Sequence, residues 1–264
     1  MTAVAPTFST FTSNNFDLMG ELDPSTIAQH ADHLSCDVST FGEVIPPISM
    51  STTYQSGSHR HEKESFVYAR DGTPTTQKAE ALVGQLEGGH AVMYSSGQAA
   101  TFSALAHFRP KRVLVRGGYH GTHAAIDHLM TLGVVREKIE LPDDLSEHSF
   151  EDGDMVWVES PRNPKVDVTD IAACRAVVDQ SGRNAHLVVD GTFAPPPVQY
   201  ALSLGAHAVM HSSTKSVYVI GRDIAATTSD RTGLIDSADH IIHETVFPCS
   251  PDTIQGTRTR LVGC

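Results

Sequence analysis

The sequence predicts an α/β protein in which a mostly parallel sheet is covered by helices on both faces. From residue 73 onward, short apolar segments alternate with segments of helical periodicity. The apolar segments are continuous, which is typical of strands buried on both faces of a parallel sheet. With 264 residues, of which 40% are hydrophobic, the chain can build one large core or two modest ones.

The segment before this alternation, residues 1–59, is rich in serine and threonine and shows few helical signals. Within it, Pro46-Pro47 favours an extended backbone. We therefore expect residues 1–59 to form an extended N-terminal arm that precedes the folded domain.

The first helix has the clearest boundaries in the chain. Thr73 is suited to the N-cap, Pro74 to the first helical position, and Gly88-Gly89 to the end of the helix. Four apolar residues repeat at helical spacing between these signals and predict one buried face, namely Ala79, Leu82, Val83 and Leu86.

Strands and helices then alternate as far as residue 210. Strands are expected at 91–94, 112–115, 155–158, 187–189 and 208–210. Helices are expected at 98–107, 122–132 and 170–179. Residues 60–215 would thus form the α/β domain. Residues 216–264 show no clear rhythm of strands and helices and are expected to form a short, atypical tail.

The charge and cysteine content argue against several classes of protein. The chain has 19 basic and 31 acidic residues and a formal net charge of −12, which disfavours nucleic acid as a partner. No apolar run is long enough to span a membrane, and the first basic residue is Arg60, so no secretory signal is predicted. The four cysteines show no Cys-x-x-Cys spacing, from which we expect reduced thiols and a cytoplasmic location.

Polar residues directly follow five of the predicted strands. They are Ser95-Ser96-Gly97, Gly117-Gly118-Tyr119, Glu159, Asp190 and the segment 212–215. In open parallel sheets, ligands bind beyond the carboxyl ends of the strands, so these groups are expected to face one crevice. The Ser96-Gly97 segment also begins a helix, where free N–H groups and the helix dipole favour a phosphate. Alternatively, Ser96 is only a helix cap.

Lys215 and Asp190 indicate the chemistry of this crevice. One strand ends in the carboxylate of Asp190, and another is followed by Ser212-Ser213-Thr214-Lys215. This combination suits pyridoxal 5′-phosphate (PLP), because a lysine forms a Schiff base with it, a carboxylate keeps its pyridine nitrogen protonated, and hydroxyls with N–H groups hold its phosphate. Tyr119 is expected to pack its ring against the flat cofactor, whereas Glu159 could equally cap a turn.

Other chemistries fit the sequence less well. The sequence contains neither Gly-x-Gly-x-x-Gly nor Gly-Lys-Ser/Thr, which disfavours nicotinamide and nucleoside triphosphate sites. Ser212 to Lys215 match the Ser-x-x-Lys of serine acyl-transfer enzymes, but the accompanying Ser-Asp-Asn and Lys-Thr-Gly do not occur. No metal site is predicted, because no Cys or carboxylate cluster completes the histidine pairs His30 and His33, His59 and His61, and His120 and His123.

A series of short motifs also occurs in order between about residue 38 and residue 215. The motifs are Val44-Ile45-Pro46-Pro47-Ile48, Tyr68-Ala69-Arg70, Leu86-Glu87-Gly88-Gly89, Ser96-Gly97, Tyr119-His120-Gly121-Thr122, Glu159-Ser160-Pro161-Arg162-Asn163-Pro164, Val189-Asp190-Gly191-Thr192-Phe193-Ala194 and His211-Ser212-Ser213-Thr214-Lys215. The series resembles the Cys/Met-metabolism family of PLP enzymes, the trans-sulfuration group of cystathionine γ-synthase, cystathionine β- and γ-lyases and O-acyl-homoserine sulfhydrylases.

The resemblance implies the large-domain fold of the PLP-dependent transferases that are similar to aspartate aminotransferase, and it implies a set of site residues. Lys215 would form the Schiff base, Asp190 would hold the pyridinium nitrogen, and Tyr119 would stack on the ring. These three are the candidate catalytic residues. The further candidate cofactor-binding residues on the same subunit are Ser96, Gly97, Gln98, Thr192, Ser212 and Thr214.

The resemblance also implies assembly and an activity. Tyr68 and Arg70 form the family's Tyr-x-Arg, which reaches the phosphate of a neighbouring subunit, so a homo-oligomer (dimer or tetramer) with shared sites is expected. The implied reaction is β- or γ-elimination, or γ-replacement, on a small sulfur amino acid or an activated homoserine. The protonated ring makes the substrate Cα proton acidic, and the freed Lys215 can carry it.

The sequence departs from the family pattern at several positions. Thr73-Pro74-Thr75 stands where Asn-Pro-Thr is usual, Gly191 where asparagine is usual, and Gln98 where methionine is common. Beyond Lys215, only Gly221-Arg222-Asp223 faintly matches an expected Gly-His-x-Asp, and the C-terminal small domain, whose arginine holds the substrate carboxylate, is expected to be absent. Two alternatives therefore remain open: a catalytically weak PLP-binding relative that assembles with a complete paralogue, and a γ-replacement enzyme recruited to a specialised biosynthetic pathway.

Overall fold

The computed structural model describes residues 23, 25, 46–54 and 66–215, and the backbone of residues 223–228. Most of the predicted N-terminal arm and most of the predicted tail therefore lie outside the described residues. The same holds for the Gly221-Arg222 part of the Gly221-Arg222-Asp223 match and for the histidine pairs His30 and His33, and His59 and His61.

The described chain alternates between helices and strands. The helices are α1 (Pro74–Glu87), α2 (Gly97–Phe108), α3 (His120–Thr131) and α4 (Ile171–Gln180), and a short 3₁₀ turn spans Leu145–Glu147. The strands are β1 (His90–Tyr94), β2 (Arg112–Val115), β3 (Glu137–Glu140), β4 (Asp154–Glu159), β5 (His186–Asp190), β6 (Ala208–His211) and β7 (Asp223–Thr228). The helices and strands predicted between residues 73 and 210 are confirmed, with ends that differ by at most two residues.

All of these strands belong to one sheet, in the order β1-β7-β6-β5-β4-β2-β3. From β6 to β3 the neighbouring strands run parallel. β7 is antiparallel to both of its neighbours, β1 and β6, so β1 and β6 point in the same direction. The sheet is mostly parallel, which confirms the predicted fold class.

Two strands of this sheet do not follow from the sequence patterns. β3 has the sequence Glu-Lys-Ile-Glu and lies at the edge of the sheet, where its two glutamates are exposed. β7 lies beyond residue 215, in the segment that was expected to form an atypical tail, and it sits between β1 and β6. The sheet therefore extends past the end predicted for the α/β domain.

The ends of α1 follow the predicted signals. Thr73 Oγ1 accepts a hydrogen bond from the Thr76 N–H at 3.1 Å, and Gly88 ends the helix in the left-handed conformation, with φ of 75°. The predicted apolar face is only partly buried: Val83 is buried, whereas the other three members are half-buried, namely Ala79, Leu82 and Leu86. The helix instead buries a charged residue, Glu87, at its last position.

Helices cover both faces of the sheet. α2 and α3 pack Leu105, Ile126 and Leu129 against one face, and α4 packs Ile171 and Val178 against the other. Successive residues of β4 alternate between these two cores, with Met155 and Trp157 in the first and Val156 and Val158 in the second. The central strands are thus buried on both faces, as their apolar sequences predict. In the described part of the chain, no helix is long and apolar enough to cross a membrane.

Candidate active site

The polar residues predicted to form a ligand site lie at the carboxyl ends of the strands, where β1, β2, β4, β5 and β6 end on the same side of the sheet. In the register of the sheet, Glu159 pairs with Asp190, and Asp190 pairs with Met210, two residues before Ser212. Segments that are far apart in the sequence therefore meet at these strand ends, and the contacts between them define the site.

The first turn of α2 packs directly against Ser212. Ser96 caps α2, and its Oγ accepts a hydrogen bond from the Ala99 N–H at 3.1 Å. A Cβ atom at Gly97 would lie 3.1 Å from the Ser212 Cβ and 3.2 Å from its Oγ, so a side chain at position 97 would crowd this contact. The N-terminus of α2 and the Ser212 side chain border the same space, an arrangement that favours an anion.

Asp190 is nearly inaccessible, with 3% of its surface exposed. Its Oδ1 accepts a hydrogen bond from the Thr192 N–H at 3.0 Å, and Thr192 Oγ1 accepts one from the Ser212 N–H at 2.9 Å. Burial raises the pKa of Asp190, while the Thr192 hydrogen bonds and the charges of His211 and Lys215 oppose this increase. A buried carboxylate of this kind suits a cationic N–H partner.

Lys215 lies in a turn that follows β6. Its backbone N–H donates to the Ser212 carbonyl at 3.0 Å, and its Nζ donates to the Ser212 Oγ at 3.3 Å. The residue is exposed, so its amine is accessible to a ligand. Ser212 therefore contacts both the first turn of α2 and the Lys215 amine.

Glu159 holds the loop that carries Tyr119. Its Oε2 accepts a hydrogen bond from the Tyr119 N–H at 2.6 Å, and its Oε1 accepts one from the Asn163 N–H at 2.9 Å. Burial raises the pKa of Glu159, and the charge of Asp190 adds to the increase, whereas the two N–H donors oppose it. Tyr119 is 42% exposed, and the centroid of its ring lies 4.6 Å from that of His120. Glu159 thus anchors the backbone of an accessible aromatic ring.

Two further side chains connect the loops around this ring. Gln98 Nε2 donates to the Gly121 carbonyl at 2.7 Å, which links α2 to α3. His123 Nε2 lies 2.7 Å from the Gly117 carbonyl oxygen. Among the described residues, no group of three His, Cys, Asp or Glu side chains is arranged to hold a metal ion.

Tyr68 and Arg70 lie on a separate, exposed segment. Tyr68 forms an isolated antiparallel bridge with Thr53, and the Arg70 guanidinium lies 5.2 Å from the centroid of the Tyr68 ring. Arg70 Nε is 3.9 Å from Asp71 Oδ1. As far as the described residues go, these contacts join the segment to Thr53 and to itself, and they do not reach the strand ends.

Glu87 and His211 form a buried ionisable pair next to the site, and no sequence pattern predicts this contact. His211 Nε2 lies 2.5 Å from Glu87 Oε1, although the two residues are 124 positions apart. Their side chains are 4% and 1% exposed. Because the partners are so distant in the sequence, no local motif could have signalled the contact.

Comparison with known proteins gives a family match over most of the chain. The profile described as "Cys/Met metabolism PLP-dependent enzyme" matches residues 25–246. Cystathionine gamma-lyase of Saccharomyces cerevisiae is 32% identical over 197 residues, which cover 72% of this chain and 50% of the yeast protein. Cystathionine gamma-synthase of Mycobacterium tuberculosis is 36% identical over 201 residues, which cover 74% of this chain and 51% of that protein. The chain spans about half the length of these curated relatives.

Similarity extends to the three-dimensional arrangement. The crystal structure of cystathionine gamma-lyase from yeast matches with a TM-score of 0.74 and 28% sequence identity. The match covers 85% of this chain and 58% of the yeast chain. The mostly parallel sheet and its helices therefore share their fold with a solved structure.

Proposed function

The chain belongs to the Cys/Met-metabolism family of PLP-dependent enzymes, and we propose that it catalyses a trans-sulfuration-type reaction on a small amino acid. The cofactor is pyridoxal 5′-phosphate, which when bound supplies an electron sink that acidifies the substrate Cα proton. The proposed reaction is elimination or replacement at Cβ or Cγ of a sulfur amino acid or an activated homoserine. The lyase and synthase names of the relatives support this class.

Residues at the strand ends fit this cofactor. The buried Asp190 carboxylate suits a pyridinium N–H, the α2 N-terminus beside Ser212 suits a phosphate, and the accessible Lys215 amine suits an aldehyde. The observation that carries the proposal is the pair of hydrogen bonds made by Thr192, here called the Thr192 bridge. The Thr192 N–H donates to Asp190 at 3.0 Å, and the Thr192 hydroxyl accepts from the Ser212 N–H at 2.9 Å. One hydrogen-bonded unit therefore holds the carboxylate and the start of the Lys215 turn.

We assign the following roles to these residues. Lys215 would provide the amine that binds the cofactor, and the same amine would carry the Cα proton. Asp190 orients the pyridine ring and keeps its nitrogen protonated. Tyr119, whose backbone Glu159 anchors, packs against the ring. The phosphate and the adjoining part of the cofactor would be held by Ser96, Gly97, Gln98, Thr192, Ser212 and Thr214.

The proposal includes a second chain at each site. Tyr68 and Arg70 are exposed, and their described contacts, which include the bridge to Thr53, do not reach the strand ends. A guanidinium binds a phosphate through two parallel hydrogen bonds. We therefore propose a homo-oligomer, a dimer or a tetramer, in which Tyr68 and Arg70 of one copy complete the phosphate site of a neighbouring copy.

The domain organisation and the cellular location are also proposals. Residues from about 60 to 215 supply the polar strand ends and would form the cofactor-binding domain, with β7 completing its sheet. Cys174 is a free thiol, and the sequence has no Cys-x-x-Cys. These observations support a reducing, cytoplasmic location.

Borohydride reduction followed by peptide mapping tests the cofactor assignment. Wild-type protein given PLP is expected to carry the reduced label on Lys215, and Lys215→Ala is expected to lose it. Lys165→Ala is a matched control, because Lys165 is also exposed but is not one of the residues assigned to the cofactor. A label on Lys111 or Lys165, with Lys215 unmodified, would contradict the proposal.

Turnover assays then decide which reaction the chain performs. Cystathionine, homocysteine, O-acetylhomoserine and cysteine are offered in turn. From cystathionine, β-elimination releases pyruvate and γ-elimination releases 2-oxobutyrate, so the keto acid identifies the bond that breaks. If PLP is attached to Lys215 and none of these substrates reacts, the results favour the alternative of a binding chain that acts with a complete paralogue, and affinity purification would then be expected to recover that partner.

A further inference from the structure

The buried Glu87–His211 pair has no role in the function proposed above. Glu87 is the last residue of α1, and His211 is the last residue of β6. The 2.5 Å contact between them is almost fully removed from water, with side-chain exposures of 1% and 4%. Burying two ionisable groups costs free energy that a pair of apolar side chains would not. Packing α1 against the sheet therefore does not by itself require this pair.

The His211 ring packs against the turn that follows Asp190. A Cβ atom at Gly191 would lie 2.7 Å from His211 Cε1, so the ring fills the space that a side chain at position 191 would need. The Gly191 N–H donates to the Met210 carbonyl at 2.9 Å, which ties the turn to the strand that carries His211. The charge of His211 also opposes the effect of burial on the pKa of Asp190.

Ser212, the residue after His211, connects the position of His211 to the rest of the site through two hydrogen bonds. The Ser212 N–H donates to Thr192 Oγ1 at 2.9 Å, and the Ser212 Oγ accepts from Lys215 Nζ at 3.3 Å. A change in the orientation of His211 would therefore displace both the turn after Asp190 and the lysine turn.

We propose that Glu87 and His211 are positioning residues for the cofactor site and that Gly191 makes room for them. Glu87 fixes the ring of His211, and that ring sets the turn after Asp190 and, through it, the Lys215 turn. The inference rests on the proposed function, which assigns the cofactor contacts to Asp190 and Lys215. Loss of the Glu87 charge then loosens the pocket, although Glu87 itself does not contact the cofactor.

The experiment compares Glu87→Gln with Asp154→Asn. Asp154 is a matched control because it is a fully buried carboxylate paired with Arg112 at 2.5 Å, but it begins β4 and so lies at the opposite ends of the strands. Both variants are expected to lower the melting temperature of the cofactor-free protein. Only Glu87→Gln is expected to raise the dissociation constant for PLP, by about tenfold, which corresponds to about 1.4 kcal/mol of binding free energy.

Two further readouts separate positioning from a loss of stability. Visible circular dichroism of the bound cofactor reports its orientation and is expected to change in Glu87→Gln but not in Asp154→Asn. In the cofactor-free protein, hydrogen exchange at the Thr192 and Ser212 amides reports the two hydrogen bonds of the bridge. Exchange at these amides is expected to be faster in Glu87→Gln than in Asp154→Asn.

A second variant disturbs the His211 ring from the Gly191 turn and leaves the charges of Glu87 and His211 unchanged. Gly191→Ala places a methyl group where the His211 ring lies, and we expect it to weaken PLP binding in the same direction. The effect should shrink when His211→Ala is added, because the methyl group then has space. These variants carry the test if Glu87→Gln does not fold.

The outcomes distinguish this inference from the proposed function. If wild-type protein binds PLP through Lys215, and Glu87→Gln and Gly191→Ala bind it as tightly as Asp154→Asn does, the positioning inference is overturned and the proposed function stands. If the wild-type label lies on another residue, the proposed function fails. The exchange measurement on the cofactor-free protein still decides in that case whether the pair fixes the Thr192 bridge.

Discussion

Burial and charge act on the Asp190 carboxyl in opposite directions. Burial raises its pKa because the ionised form loses its water, while the Thr192 hydrogen bonds and the nearby His211 and Lys215 favour the ionised form. A pyridinium N–H would be a further hydrogen-bond donor that favours the ionised form of Asp190. Cofactor and carboxylate are therefore expected to stabilise each other's charged state.

Replacement of Asp190 by asparagine tests this mutual stabilisation. Asp190→Asn keeps the shape of the side chain and an acceptor for the Thr192 N–H, but it removes the charge. We expect PLP to bind about ten to a hundred times more weakly, because a hydrogen bond to a charged group contributes about 1.5 to 3 kcal/mol. Equilibrium dialysis measures the change, with Asp170→Asn at the α4 N-cap as the control. Equal affinities in the two variants would exclude the assigned role.

At the scale of elements, the sequence predicts the helices and strands that have strong local signals. It does not predict the strands that depend mainly on pairing with neighbouring strands. The first helix was predicted from its capping residues, and the central strands from their apolar runs. β3 has one apolar residue and is held by its partner β2 at the sheet edge, while β7 is stabilised by two antiparallel neighbours. β3 lacks the apolar run that indicates a buried parallel strand, and the apolar run of β7 is limited to Ile224-Ala225-Ala226.

The site shows the same division. Its strand-end residues were predictable because parallel strands present their carboxyl ends at one edge. The bonds that organise it were not, because they join residues that are distant in the sequence. The Thr192–Ser212 bond spans 20 positions and the Glu87–His211 bond spans 124. Such contacts depend on the order of strands in the sheet, which local patterns do not specify.

The N-cap of α1 is open to a direct test of stability. Thr73→Ala removes the acceptor for the Thr76 N–H, and the free energy of unfolding is expected to fall by about 1 kcal/mol. Thr73→Ser keeps the hydroxyl and is expected to change it little. Urea titration monitored by circular dichroism provides the measurement. If both substitutions have the same effect, the cap bond does not contribute and loss of the methyl group is responsible.

Glu80 connects α1 to β1 and makes the stability of the protein depend on pH. Its Oε1 accepts a hydrogen bond from the Met93 N–H at 2.9 Å, and burial raises its pKa from 4.5 to about 7. The folded protein therefore binds this proton more tightly than the unfolded chain does. The contribution of Glu80 to stability is fully present below the unfolded pKa and is lost as the pH rises through the folded pKa.

Glu80→Gln isolates this contribution, because the amide still accepts from the Met93 N–H but does not titrate. Relative to wild type, the variant is expected to gain up to about 3 kcal/mol between pH 5 and pH 8, since each pKa unit corresponds to about 1.4 kcal/mol. Denaturant unfolding of both proteins at the two pH values measures the gain. A difference between the proteins that does not vary with pH would show that Glu80 keeps an ordinary pKa.

At the scale of the whole molecule, the amino ends and the carboxyl ends of the strands differ in the groups that they carry. At the amino ends of β2 and β4, Arg112 forms a buried pair with Asp154 and also bonds Glu151 and the Ser149 carbonyl. In this network Arg112 and Asp154 are buried, whereas the Glu151 side chain is half-exposed. The carboxyl ends instead present an exposed lysine and an exposed tyrosine above a buried carboxylate. Interactions that hold the fold are thus separated from groups that can meet a ligand.

Assembly is the property that a single chain reveals least, and a mixing experiment addresses it. If Arg70 of one copy completes the site that contains Lys215 of another, Arg70→Ala and Lys215→Ala each damage every site of a homodimer, but a heterodimer of the two variants has one site in which both residues are intact. Random pairing makes half of the dimers heterodimeric, each with one intact site of two, so about one quarter of all sites should recover.

The recovered fraction is measured on co-expressed variants by PLP titration and by the borohydride label on the intact Lys215. Arg70→Ala co-expressed with an Arg70→Ala/Lys215→Ala double variant is the matched control, because no combination of these two chains supplies Arg70. Recovery in the first mixture but not in the control would establish shared sites. A protein that sediments as a monomer while holding PLP tightly, or equal binding in both mixtures, would mean that Arg70 acts within its own chain or not at all. The exposed Tyr68–Arg70 segment would then need another explanation.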